Sequence, residues 1–107
     1  MAGEQKPLLI EWTDTATRQL LSILEYWINR NKSTNFAEKL ADLVWDKVRF
    51  IACNPNASPK TIFQNTYKAA FGHYSIFYKI IGSKILITAF WDNRQDPKKL
   101  IDLLNKQ

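Results

Sequence analysis

Apolar and polar positions along the chain change period three times. Residues 8 to 12, LLIEW, are short and largely apolar and predict a strand, with Thr13 or Asp14 placed to cap whatever helix follows. Ala16, Leu20, Ile23, Leu24, Trp27 and Ile28 then recur at spacings of three and four. Arg18, Gln19, Ser22, Glu25 and Asn29 fall between them, which predicts an amphipathic helix to about Arg30. The polar break NKSTN offers Ser33, Thr34 and Asn35 as caps, and Glu38 stands three residues after Asn35, the spacing of a capping box. Phe36, Leu40, Leu43, Val44, Val48 and Ile51 form the stripe of a second helix. It is expected to stop near Cys53, because Asn54 precedes Pro55 and is pushed away from helical angles.

Beyond the loop PNASPK, residues 66 to 91 read as three strands separated by Gly72-His73 and Gly82-Ser83. If each pair is a two-residue hairpin turn with glycine first, Phe71 opposes Tyr74 and Ile81 opposes Lys84, and strict alternation then assigns every side chain to a face. Tyr67, Ala69, Phe71, Tyr74, Ile76, Tyr78, Ile80, Ile85, Ile87, Ala89 and Trp91 are expected to face the helices. Lys68, Ala70, Ser75, Phe77, Lys79, Lys84, Leu86, Thr88 and Phe90 form the opposite face, which is mixed and basic. Lysines among Phe77, Phe90 and Leu86 are the composition of a binding surface, unless Lys79 and Lys84 only lay their stems over apolar neighbours. Pro97 is expected to start a last helix, with Asp96 as its cap and Leu100, Ile101, Leu103 and Leu104 as its apolar side. The fold class is thus α+β: a helical hairpin packed on one face of a four-stranded, mainly antiparallel sheet that the N-terminal strand joins.

At 107 residues, 46% of them hydrophobic, the chain suits one domain over residues 1 to 107 with a single core, and its composition argues against disorder. The lone Cys53 cannot form an internal disulfide, and the start MAGEQKPLLIEW lacks the pattern of a leader peptide, so a cytoplasmic protein is expected. No apolar run reaches the roughly 18 to 20 residues that a bilayer demands, since Lys79, Lys84 and Asp92 interrupt the candidates. Charge is the more telling quantity. Residues 1 to 59 carry seven basic and seven acidic side chains, whereas residues 60 to 107 carry eight and three, so the whole net charge of +5 lies in the second part. An anionic partner for that part follows, either nucleic acid or an acidic protein.

The order strand, helix, helix, three strands, together with HYSIFYKI, KILITAFWDNRQDP and KKL, resembles the RelE/ParE superfamily of toxins from bacterial type II toxin-antitoxin modules. The specific part is residues 67 to 100, where a Tyr-x-Ile-x-Tyr strand is followed across one hairpin by a strand ending in an arginine turn with Gln-Asp-Pro. The resemblance implies a small basic toxin, neutralised by a cognate antitoxin that binds near the C-terminal tail. Its target is then DNA gyrase, or mRNA on the ribosome; no membrane is involved.

Cleaving RNA requires a base for the 2′-hydroxyl, positive charge for the developing phosphorane and an acid for the leaving oxygen. Lys68, Lys79 and Arg94 supply charge, and a desolvated lysine can serve as base; these are the catalytic candidates if the chain is an mRNA interferase. The acid is missing. Ribonuclease members of the superfamily place a Tyr or His near the C-terminus, where PKKLIDLLNKQ has neither, and Asp92 stands where many relatives have histidine. Those departures favour a gyrase-directed or non-cleaving member. His73, the only histidine, falls in a turn and reads as solvated. With one Cys and one His far apart, neither a metal nor another cofactor is expected. The binding candidates are Lys68, Phe77, Lys79, Phe90, Arg94, Lys98 and Lys99. Two roles fit Arg94: contact with a phosphate or an antitoxin carboxylate, and a staple of its own turn through Asp92 or Asp96. A different class of reading is a non-toxic nucleic-acid-binding module whose Phe77 and Phe90 stack on bases.

Overall fold

The computed structural model describes residues 7–105; Glu4, Lys6 and Lys106, which enter the charge balance, lie outside them. Seven elements follow in order: β1 (Leu9–Trp12), α1 (Asp14–Asn31), α2 (Asn35–Cys53), β2 (Tyr67–Phe71), β3 (Tyr74–Ile81), β4 (Lys84–Asp92) and α3 (Pro97–Asn105). They build the expected α+β arrangement, with a sheet in the order β1-β4-β3-β2 in which β1 runs parallel to β4 and the other pairs are antiparallel. No helix among the described residues is long and apolar enough to cross a membrane.

Caps and turns follow local chemistry. The Thr13 hydroxyl accepts the Ala16 N–H at 3.1 Å and starts α1, and the chain leaves that helix through Lys32 at φ 54°. The N-cap of α2 is Thr34, one of the three caps the sequence offers, rather than the Asn35 that the capping-box spacing marks. Glu38 donates its N–H to the Thr34 carbonyl at 2.9 Å, and its carboxylate accepts the Thr34 hydroxyl at 2.6 Å. Both hairpin turns place glycine first, at φ +56° for Gly72 and +60° for Gly82, a region that side chains with a Cβ rarely enter. Phe71 accordingly pairs with Tyr74 and Ile81 with Lys84, as the turn chemistry requires.

Strict alternation fails once, and the failure rearranges both faces of β4. Phe77 pairs with Ala89 but Tyr78 pairs with Ile87, so Thr88 is an extra residue, a β-bulge. Beyond it every side chain changes face. Phe90, expected on the basic face, is fully buried in the main core beside Tyr74, Ile76 and Tyr78. Ala89 and Trp91, expected under the helices, are on the opposite side with Phe77.

That opposite side is not an open binding surface either. Leu104, buried, and Leu100 and Leu103, partly buried, lay α3 over Phe77, Ala89 and Trp91, with Phe63 completing a second small core. Ile101, expected on the apolar side of α3, is instead exposed. Asp96 does cap this helix: its carboxylate accepts the Lys98 N–H at 2.9 Å. The main core lies on the other side of the sheet, where Ala16 of α1 and Leu40, Val44, Val48 and Ile51 of α2 meet Ile76, Tyr78, Ile85 and Ile87. The loop before β2 is tied down by tyrosines. Tyr78 donates to the Pro55 carbonyl at 2.8 Å, and its ring stacks on Tyr67 at 5.2 Å between centroids.

Candidate functional site

β1 has four residues and β4 nine, so β1 covers only Lys84 to Ile87. Past that point the free edge of β4 is covered by α1 rather than by a strand. Thr13 donates its N–H to the Ile87 carbonyl at 3.0 Å, and the Gln19 side-chain oxygen accepts the Phe90 N–H at 2.9 Å. A sheet edge left bare is a liability, and a side-chain amide answers it here.

α1 and the turn after β4 enclose a groove between them. One end, about 260 Å³, is lined by Thr15, Arg18, Gln19, Ser22, Ile23 and residues Phe90 to Asp92 with Gln95. It continues into a space of about 340 Å³ lined by Tyr26, Trp27 and Arg94, again with Ser22, Ile23, Asp92 and Gln95. The walls combine two guanidinium groups, two side-chain amides, three hydroxyls, the Asp92 carboxylate and an apolar stretch.

Arg94 is held firmly at the mouth. Its Nε and Nη2 donate to the two Asp92 carboxylate oxygens at 2.9 and 2.7 Å, and its backbone N–H reaches the same carboxylate at 2.9 Å. The guanidinium also stands 6.0 Å from the centroid of the Tyr74 ring. Tyr74 is fixed in turn, since Trp27 Nε1 donates to its hydroxyl at 3.2 Å and its ring stacks on Phe90 at 5.5 Å. The turn itself is anchored to the β2–β3 hairpin: Asn93 donates its N–H to the His73 carbonyl at 2.7 Å, and Ser75, wholly buried, donates to the Asn93 side chain at 2.9 Å.

The hydrogen bonds from Arg94 hold the Asp92 carboxyl below its ordinary range against a smaller opposing effect of burial, and Asp92 raises Arg94 in return. The staple role is therefore present in the structure. It uses two of the five N–H groups of the guanidinium. Half the side chain remains exposed, at 49%, so the same arginine keeps donors for an incoming carboxylate or phosphate.

Of the remaining sequence candidates only Phe90 lines this groove. Lys68 alternates with the buried Ala69 of the main core and pairs with Phe77, so it projects on the α3 side of the sheet, exposed. Lys79 lies on that same side, beside Phe63, Thr66 and Leu104. Lys98 and Lys99 are exposed on the first turn of α3. Phe77 and Phe90 are 2% and 0% exposed, which leaves neither ring free to stack on a base. His73 is exposed in its turn. What the pattern missed is the α1 wall: Arg18, Gln19 and Ser22 occupy positions that helical periodicity assigns to solvent. The signal lay in the unequal lengths of the first and last strands, which leave part of β4 in need of cover.

Comparison with known proteins accords with this architecture. The family model of the ParE toxin of the type II toxin-antitoxin system, parDE, matches residues 10–97. A chain of the chromosomal ParDE toxin-antitoxin system from P. aeruginosa superposes with a TM-score of 0.68 at 16% identity, over 78% of this chain and 92% of that one. A chain of the RelBE2 toxin-antitoxin complex from Mycobacterium tuberculosis gives 0.63, also at 16% identity, over 87% and 99%. At that identity the likeness is one of fold. No curated protein sequence matches. The family match spans most of the chain, from the second residue of β1 to the first of α3, and on that ground the chain belongs to the ParE toxin family of type II toxin-antitoxin systems.

Proposed function

We propose that this chain arrests growth without cutting RNA, with DNA gyrase as the target, and that a cognate antitoxin neutralises it by occupying the groove around Arg94. The observation that carries the non-cleaving reading is the separation of the cations. Lys68 and Lys79 project on the α3 side of the sheet while Arg94 sits beside Tyr74 and α1 on the other. A single phosphate cannot be met by all three. Without a positioned acid or base, cleavage forfeits a factor of roughly 10² to 10⁴. The family match supports the gyrase-directed mode.

For the antitoxin, the groove offers the outer N–H groups of Arg94, the Arg18 guanidinium and an apolar wall from Ile23 and Trp27, which suit a segment with alternating carboxylates and apolar side chains. Both of the solved structures named above come from toxin-antitoxin systems. Inducing the chain while mapping RNA ends, and assaying gyrase supercoiling with purified protein, tests the mode. Arrest with intact mRNA and inhibited supercoiling is expected; codon-phased cuts with normal supercoiling would overturn it. Arg94→Ala is expected to abolish arrest while the protein stays folded, because the guanidinium is half exposed and water can reach the Asp92 carboxylate in its place.

A further inference from the structure

A second surface, sharing no residue with the Arg94 groove, runs along the outer flank of α2. The helix has four large apolar side chains that remain exposed: Phe36, Leu43, Trp45 and Phe50. Three of them, Phe36, Leu43 and Phe50, stand seven residues apart, and at about 100° per residue they fall on one line down the helix, well off the face that carries Leu40, Val44, Val48 and Ile51 into the core. A seven-residue apolar repeat on an exposed flank is the seam by which a helix meets another helix.

Leu43 and Phe50 are 55% and 47% exposed, and between them a shallow hollow of about 370 Å³ is floored by Asp46, Lys47 and the Phe71 ring of β2. The Lys47 ammonium lies 5.5 Å from the Phe50 ring centroid, and the neighbouring Asp46 carboxylate, ion-paired to Arg49 one turn along α2, is largely exposed and keeps a second oxygen for a charge on a partner.

The chemistry of this patch selects its occupant. α2 carries Glu38, Asp42 and Asp46 against Lys39, Lys47 and Arg49, so its own charge sums to zero, as does that of residues 1 to 59, although the chain as a whole is +5. A strongly acidic partner has no reason to prefer this flank over the basic part of the chain. Two copies, by contrast, meet least repulsion when they approach helical hairpin first. The sequence is also self-complementary about one point. If two α2 helices cross antiparallel with a two-fold axis between Asp46 and Lys47, Leu43 of each copy enters the hollow beside Phe50 of the other. Asp46 of each then faces Lys47 of the other. Reciprocity of that kind is what an isologous interface requires.

We infer that the outer flank of α2 binds a second copy of this chain, giving a two-fold dimer held by reciprocal Leu43–Phe50 contacts and Asp46–Lys47 ion pairs. This interface leaves the Arg94 groove open on each copy. Its test does not depend on toxicity.

Sedimentation equilibrium of the purified full chain over a range of concentrations is expected to fit a monomer–dimer equilibrium built on the 12.5 kDa chain. Leu43→Asp is expected to raise the dissociation constant at least roughly tenfold without changing the circular-dichroism melt. Should that variant fold poorly, a charge cycle serves instead: Asp46→Lys and Lys47→Asp each weaken the dimer, and the double variant recovers it. A single-chain mass at every concentration would overturn the inference, as would a dimer indifferent to both Leu43→Asp and the charge cycle. A monomer in which Leu43→Asp instead disrupts co-purification with the antitoxin would assign the flank to that partner. A double variant that fails to recover would refute the antiparallel register.

Discussion

Replacing Phe90 with alanine probes the bulge at Thr88 directly, because the two possible registers give opposite forecasts. With regular alternation Phe90 would stand on the α3 side of the sheet as part of a mixed, partly wet surface, and surface truncations away from special features change stability by about 0.5 kcal/mol or less. In the bulged register Phe90 is fully buried, with its ring 5.5 Å from Tyr74 and 6.2 Å from Phe71. Truncating a buried phenylalanine costs about 3–5 kcal/mol through lost transfer energy and the cavity left behind. The two aromatic contacts favour the upper part of that range, at about 0.5–1.5 kcal/mol each beyond burial.

Domains of this class have only about 5–15 kcal/mol of total stability, so the loss is a large share of it. At roughly 4 °C or more per kcal/mol, the melting temperature falls by at least about 12 °C. Urea unfolding followed by tryptophan fluorescence and by far-ultraviolet circular dichroism measures the loss, and coincident transitions license a two-state analysis. A Phe90→Ala variant less than about 1 kcal/mol below wild type would refute the register, and with it the placement of Asp92 beside α1.

Four further outcomes follow from the same geometry. Gln19→Leu leaves the Phe90 N–H without its acceptor and is expected to cost about 1–3 kcal/mol in urea unfolding, whereas Ser22→Ala, at an exposed position of α1, is expected to change little. Asp92 titrates below its ordinary value in the folded state, so its contribution is present above the unfolded carboxylate value of about 3.9 and disappears as pH falls through the folded one; Asp92→Asn should therefore flatten the acid limb of a stability–pH curve. Tyr78 is shifted the other way, chiefly by burial, so its contribution is complete below about pH 10 and fades as pH rises through the folded value; Tyr78→Phe should flatten the alkaline limb. The same variant leaves the Pro55 carbonyl without its donor, and a loss near 1 kcal/mol at neutral pH is expected.

The parts of this fold that were legible in the sequence are those set by local chemistry. Glycine first in each hairpin turn fixed the pairing of Phe71 with Tyr74 and of Ile81 with Lys84, and the three-and-four spacing marked Leu40, Val44, Val48 and Ile51 of α2 as core, although Phe36 and Leu43 of the same expected stripe stand exposed. Asp96 and Thr13 cap the helices they were expected to cap. Long-range compensation was the illegible part. Nothing local announces that α3 folds back over Phe77, because an amphipathic helix of nine residues shows that it must bury one side but not against what. Nor does a run such as LITAFWD disclose a bulge, since apolar residues at nearly every position satisfy either register equally well.

That one bulge also decides how the site is built. Under regular alternation Asp92 would share a face with Lys68 and Phe77, on the α3 side, and Arg94 would be drawn toward the lysines. The extra residue at Thr88 turns Phe90 and Asp92 toward α1 instead. Phe90 then stacks under Tyr74, Tyr74 presents its ring to Arg94, and Asp92 takes the guanidinium by two hydrogen bonds at the groove mouth. Bulges are common beside functional sites because, at the cost of a local bend and extra twist in one strand, they re-aim the side chains that follow. Here the re-aimed residue is a carboxylate, and its effect is to hold the arginine on the side of the sheet away from Lys68 and Lys79. The same backbone irregularity that regular alternation does not foresee thus sets Arg94 apart from Lys68 and Lys79, and the non-cleaving mode proposed above rests on that separation.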